Sequence, residues 1–223
     1  MDLPSLSLDQ LGKVVTESPS YEALYDVLSQ YEDEACLQFS QIQVTGDEKL
    51  LSAFYSSFLI SHLFTDQIEE ARALTHRMPP TLVKTDKVLQ NSIAVLRAVS
   101  QNKYHETYQS LRSQTWPEPV NTLVHKYDAF FTEKALKDVS QVYESIRPEA
   151  AAEYLGLEEM AQKGTAGGSS SQLVQALLGR GWEWDNETQL FRPHVPTQLV
   201  NASNGLNSNT IHHIVGLAGN HGS

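Results

Sequence analysis

The stretch from residue 48 to residue 64 constrains this chain more than any other. Leu50, Leu51, Phe54, Tyr55, Phe58, Leu59 and Leu63 make it apolar nearly all round, so a helix there must pack on several sides at once. Such a helix is central to whatever fold contains it. The same run is not a membrane span, because Ser56, Ser57, Ser61 and His62 interrupt it. No other segment approaches the ~20 apolar residues needed to cross a bilayer.

Periodicity places further helices around this one. Tyr21, Leu24, Tyr25 and Leu28 follow an i, i+3, i+4, i+7 pattern and predict a helix within 20–36. Asp66 and Glu69 have capping-box spacing, which opens a helix through Ile68, Ala71 and Leu74 that Pro79 and Pro80 stop near Met78. Helices are expected at about 87–100 (Leu89, Ile93, Leu96) and 104–113 (Tyr104, Tyr108, Leu111). After Pro117 and Pro119, the residues Val120, Val124, Tyr127, Phe131, Ala135, Val139, Val142 and Ile146 step by three or four, predicting one long helix that closes before Pro148. Antiparallel helix pairs of this kind stack as a solenoid or bundle.

Beyond Pro148 the pattern changes. Two short helices are expected, 149–155 ended by Gly156 and 171–178 ended by Gly179, with a Gly- and Ser-containing insertion over 158–170 between them. Trp182, Glu183 and Trp184, then a polar turn, then Leu190, Phe191 and Arg192 read as a β-hairpin. Helices followed by a hairpin is the order of a winged helix. Trp182 and Trp184 share a face of their strand, and Trp182, farther from the turn, is expected to be the more deeply buried ring. The Pro- and Asn-containing stretch 196–206 reads as a linker, followed by a short helix over 207–223. The expected organisation is an acidic N-terminal segment with a helix (1–46), helical repeats (47–131), a winged-helix subdomain (132–195), the linker and the terminal helix.

Composition excludes several kinds of chemistry. The net charge is −11, and residues 1–64 hold 10 acidic side chains against 2 basic ones. Nucleic acids and anionic membranes are bound chiefly through clustered Lys and Arg, which the chain lacks. The expected recognition helix of the winged helix ends in Arg180 alone, and the wing sets Glu183, Asp185 and Glu187 against Arg192. The module is therefore read as protein-binding. The first ten residues carry two acids and no base, unlike a secretion or transit signal, and imply a cytoplasmic or nuclear location. Cys36 is the only cysteine, which rules out an intramolecular disulfide; between Ala35 and Leu37 it reads as a small buried hydrophobe. The eight histidines include no His-x-His or His-x-x-x-His pair, and no phosphate-binding glycine loop or nucleophile elbow is present. The expectation is a chain with no catalytic residue, no metal, no cofactor and no small-molecule substrate.

Helical repeats, a long connecting helix and a winged helix together resemble the PCI-domain family of the proteasome lid, the COP-nine signalosome and initiation factor three. Ala71, Arg72, Arg77, Met78, Pro79 and Pro80 in EEARALTHRMPPTLVK, together with Trp116, EAAAEYLGL (149–157) and GRGWEWD (179–185), are similar to the signalosome's subunit-eight branch of that family. The resemblance implies a non-catalytic scaffold, with other PCI-type subunits as partners, in a complex that removes the ubiquitin-like modifier Nedd from cullin ligases. It also implies that Leu190, Phe191 and Arg192 join an edge-to-edge arc of winged helices. Ile211, Ile214, Val215 and Ala218, one stripe on the terminal helix, would enter a helical bundle. Proteasome-lid and initiation-factor membership and, from another class, a winged-helix regulator that binds nucleic acid remain alternatives.

Overall fold

A computed structural model describes residues 4–37, 48–158 and 172–193. The described residues are mainly helical. In chain order they form α1 (Leu8–Glu17), α2 (Tyr21–Gln30), α3 (Glu48–Phe64), α4 (Ile68–Arg77), α5 (Pro80–Thr85), α6 (Lys87–Ser100), α7 (Tyr104–Arg112), α8 (Val120–Val142), α9 (Pro148–Leu155), α10 (Gln172–Leu178), β1 (Glu183–Asp185) and β2 (Leu190–Arg192). The chain divides into two compact units. One contains the described residues up to 136 together with 151–158; the other contains 137–150 and 172–193.

In the first unit α3 is the axis. Every residue from Leu50 to Phe64 is buried, and α1, α2, α4 and α6 all pack against this helix. Aromatic rings fill its C-terminal end: Phe64 stacks on Tyr21 at 3.9 Å and meets Tyr127 of α8 edge-on at 5.2 Å. Burial pushes the Tyr127 hydroxyl well above its ordinary pKa. The ends of neighbouring helices are tied to one another by side chains. Asp86 caps α6 by accepting from Leu89 N–H (2.7 Å) and also accepts from the buried Ser52 hydroxyl of α3 (2.6 Å), so one carboxylate registers two helices. Lys126 of α8 donates to the Val15 carbonyl near the end of α1 (2.9 Å). Arg112 chelates Asp128, donates to the Gly156 carbonyl (2.6 Å) and lies 4.5 Å above the Tyr108 ring.

Helices α3, α6, α9 and α10 terminate with the paired 6→1 and 5→2 backbone bonds of a left-handed cap, at Asp66, Asn102, Gly156 and Gly181. Asp66 thus closes α3 with φ at +59°, and the helix that follows begins after Gln67 without a side-chain cap. The expected capping box is corrected on this point: a residue committed to ending one helix has the wrong backbone to start the next. The Asp66 carboxylate meets Lys134 instead (2.8 Å). Gly156 is required twice over, since its φ is +64° and a Cβ there would lie 2.6 Å from the buried Tyr108 ring. Gly179, read as the end of α10, does not have positive φ; that role falls to Gly181.

Other boundaries differ as well. The helix expected within 20–36 is broken at Tyr31, whose buried ring carries its hydroxyl back to the Pro4 carbonyl (2.9 Å). Helices α1 and α5 were not foreseen: α1 starts on a Ser7 cap and α5 on Pro80, the stop signal read as a pure interruption.

The second unit is built around Phe191. The strands pair antiparallel with Glu183 opposite Arg192, Trp184 opposite Phe191 and Asp185 opposite Leu190. Ile146, expected on the long helix, lies beyond its end and makes an isolated antiparallel bridge to Phe191, with each residue donating to the other's carbonyl (2.8 and 2.9 Å). The order of helix, bridging residue, two helices and hairpin matches the winged-helix order expected from the sequence. Leu173, Val174 and Leu177 of α10 are buried in this unit, along with Val139, Ile146, Trp182 and Phe191.

Candidate functional site

Among the described residues no group of His, Cys, Asp and Glu is placed to hold a metal ion, and no helix is long and apolar enough to cross a membrane. Cys36, expected to be buried, is exposed; its sulfur lies 3.8 Å from the buried Tyr55 hydroxyl. The reason is register. Tyr31 and Ala35 occupy the inward face of this stretch, which turns residue 36 outward.

His62 is 2% exposed, with the rings of Phe58 and Tyr25 at 4.6 and 4.9 Å, and neither ring nitrogen has a hydrogen-bond partner among the described residues. Burial depresses its pKa, so it sits in the core as a neutral ring. His105 has the opposite environment. It is an exposed side chain 2.6 Å from Glu158, which raises its pKa. Neither arrangement pairs a nucleophile with a base, and both are features of the packing.

The hairpin carries a cluster of charged and polar side chains bonded to one another and to its turn. Asp185 shapes its turn by accepting from the N–H groups of Glu187 (2.9 Å) and Thr188 (3.3 Å), bonds that hold its carboxyl below the usual carboxylate pKa. Its other oxygen accepts from Arg192 (2.9 Å), and the Trp184 indole N–H donates to Asn186 (3.1 Å). The turn therefore holds its shape through its own side chains.

The expected interface residues divide unevenly on this frame. Arg192 is exposed, Leu190 is half-buried, and Phe191 is 0% exposed between Trp182 at 6.1 Å and Trp184 at 4.7 Å. The Phe191 side chain belongs to this unit's own core and is corrected on that point. Its backbone is occupied too, because both its N–H and its C=O are bonded to Ile146. In an antiparallel pair a residue points both groups to the same side, so Phe191 and Trp184 form a non-hydrogen-bonded pair and the Trp184 N–H and C=O point away from β2. Among the described residues β2 is thus the inner strand, and the open edge is β1. Sequence reasoning missed this because Ile146 fits the helical period of the preceding run. Trp182, 2% exposed, is the deeper of the two tryptophans, as its position before the turn predicts. Ile211, Ile214, Val215 and Ala218, with the rest of the expected terminal helix, lie outside the described residues, as do most of the 158–170 insertion and the 196–206 linker.

Comparison with known proteins adds an independent line. The model of the CSN8/PSMD8/EIF3K family matches residues 49–199. The chain is 41% identical over 223 residues to COP9 signalosome complex subunit 8 of Emericella nidulans, covering 100% of both chains. It is 24% identical over 168 residues to the subunit 8 of Xenopus tropicalis (72% of this chain, 81% of the relative) and 22% identical over 181 residues to that of Dictyostelium discoideum (80% and 86%). The acidic N-terminal segment precedes the family match but lies within the full-length alignment to the Emericella protein.

Proposed function

The chain belongs to the CSN8/PSMD8/EIF3K family, and from that premise we propose that it is a non-catalytic subunit of a COP9 signalosome, acting through assembly with other PCI-type subunits. The observation that carries this reading is the 41% identity to a signalosome subunit 8 across the whole of both chains. The complex would remove Nedd from cullin ligases, with catalysis on another subunit, and would work in the nucleus and the cytoplasm.

Two elements would make the contacts. One is the hairpin, where the open β1 edge offers the Trp184 N–H and C=O to a strand of a neighbouring winged helix, with main-chain bonds supplying affinity and flanking side chains specificity. Leu190 and Arg192 lie on the adjoining strand and would contribute side chains, Arg192 already oriented by Asp185. The other is the terminal stretch 207–223. Its stripe Ile211, Ile214, Val215 and Ala218 is interrupted by Gly216 and Gly219, each costing about 1 kcal/mol in a helix, so it would be marginal alone and stabilised in a bundle. The domain bounds read from the sequence, with the winged helix over 132–195 and a linker over 196–206, fit this division of labour. Nucleic acid is disfavoured as a partner because the wing is acidic and Arg192 is paired within it.

The experiment is affinity purification of the tagged full-length chain from its own cells, followed by mass spectrometry. Recovery of signalosome subunits is the expected result, with recovery lost on deleting 207–223 while the circular dichroism of the isolated chain is unchanged. Recovery of proteasome-lid or initiation-factor subunits instead would overturn the assignment.

A further inference from the structure

Helices α4 and α6 enclose an open groove of about 390 Å³ whose charge runs against that of the chain. Arg72 and His76, one turn apart on α4, face Arg97 on α6, while Ile93 and Leu96 supply an apolar floor. Among the described residues no carboxylate lines the groove, although the protein as a whole carries a net charge of −11. Three other arginines and lysines of this unit are neutralised by a carboxylate close by: Arg77 by Glu32 at 2.7 Å, Arg112 by Asp128 at 2.9 Å and Lys134 by Asp66 at 2.8 Å. The side chains of Arg97 and His76 have no ion-pair or hydrogen-bond partner among the described residues, and that of Arg72 has only an exposed contact with Glu69 at 3.2 Å.

We propose that this groove binds an extended acidic segment of a partner protein, with carboxylates at Arg72 and Arg97 and an apolar side chain between them over Ile93 and Leu96. Charge complementarity selects the sign of the ligand, since two guanidiniums without a lining carboxylate repel any basic segment and attract an acidic one. The floor selects its kind. Half-buried Ile93 and buried Leu96 offer nothing to a free phosphate or a nucleic-acid backbone, whereas a peptide alternating acidic and apolar residues satisfies both wall and floor. The exposed heads of Arg72 and Arg97 are held on helices, so the cations are presented at fixed spacing without reordering the backbone. The lining residues belong to α4, α6 and the end of α6, and the proposal does not depend on which complex the chain joins.

The test uses the full-length chain and a fluorescein-labelled octapeptide of alternating Glu and Leu, read by fluorescence anisotropy. Binding should weaken as salt rises. R72E and R97E should each weaken it by about tenfold or more, R97K should retain most of it, and a Lys and Leu octapeptide should not bind. Both arginines are exposed, so unchanged circular dichroism is expected for the variants; if a reversal unfolds the chain, R97Q serves in its place. Failure of the Glu and Leu peptide to bind, affinity in R72E and R97E equal to that of the unmutated chain, or equally tight binding of inorganic phosphate or of an oligonucleotide that ignores the floor would overturn the proposal.

Discussion

Helix α3 and strand β2 are both buried at their centres, but by different means. Helix α3 satisfies its own backbone, so its neighbours need supply only apolar surface, and they supply it from every direction. Phe191 cannot do this. A strand residue must find main-chain partners beside it, and Phe191 finds both in Ile146, while Trp182 and Trp184 pack against its ring. Burial in the first unit is thus spread over many helices; in the second it converges on one side chain. The difference teaches where each unit is vulnerable.

The largest effect should therefore come from the second unit. Phe191→Ala and Trp182→Ala are each expected to cost about 3–5 kcal/mol, the usual range for a truncated buried aromatic. Chemical denaturation followed by tryptophan fluorescence measures this, since Trp182 and Trp184 lie beside Phe191. A midpoint unchanged in Phe191→Ala would mean that the hairpin is held by something other than this residue.

Gly156→Ala tests the first unit where it is least redundant. Positive φ alone costs an alanine about 1–3 kcal/mol, and the Tyr108 ring that the new methyl would strike is held by its hydroxyl bond to the Tyr154 carbonyl (3.2 Å). A drop in the thermal midpoint is expected. No drop would show that Tyr108 yields easily and that burial here is as adaptable as elsewhere in the helices.

Acidification should then separate the two histidine environments. His62 has a folded pKa below its unfolded value near 6.5, so its unfolded state binds the proton more tightly. Stability is complete above that value and declines as pH falls through it, at no more than about 1.4 kcal/mol per pH unit for one proton. Arg77, Glu32 and Glu70 are the charged groups that act on His62. His105 has the opposite sign: its raised pKa favours the folded state at low pH, and that contribution fades as pH rises through the folded value. Urea titrations between pH 7 and pH 5 should show His62→Leu losing much of the acid sensitivity. An unaltered pH profile in that variant would place the sensitivity elsewhere.

The smallest effect is expected at the serines of α3. The Ser56 and Ser57 hydroxyls are fully buried with no hydrogen-bond partner among the described residues, so removing either deletes a desolvated polar group and almost no volume. Ser57→Ala should be neutral or stabilising by up to about 1 kcal/mol. A loss of stability would reveal a partner for that hydroxyl, and would make the packing of α3 more specific than the apolar surface around it requires.

The residues alone were enough to determine the helical character of the chain, the central place of 48–64, the span of α6, the hairpin and the greater depth of Trp182. They were enough because helices and tight turns are made of contacts within a few residues: an N–H bonded to the carbonyl four positions back leaves its trace as a 3.6-residue period, with Pro, Asp and Gly at the ends. Tertiary structure decided the rest. Ile146 satisfies the helical period yet serves as a strand residue, because Phe191, far along the chain, supplies both of its main-chain partners. That pairing turned β2 into the inner strand, left the edge to β1 and sent Phe191 into the core. Likewise, whether Asp66 starts a helix or ends one, and whether Cys36 faces in or out, depended on which neighbour packed against it, and a short stretch of sequence carries no record of neighbours that lie far along the chain.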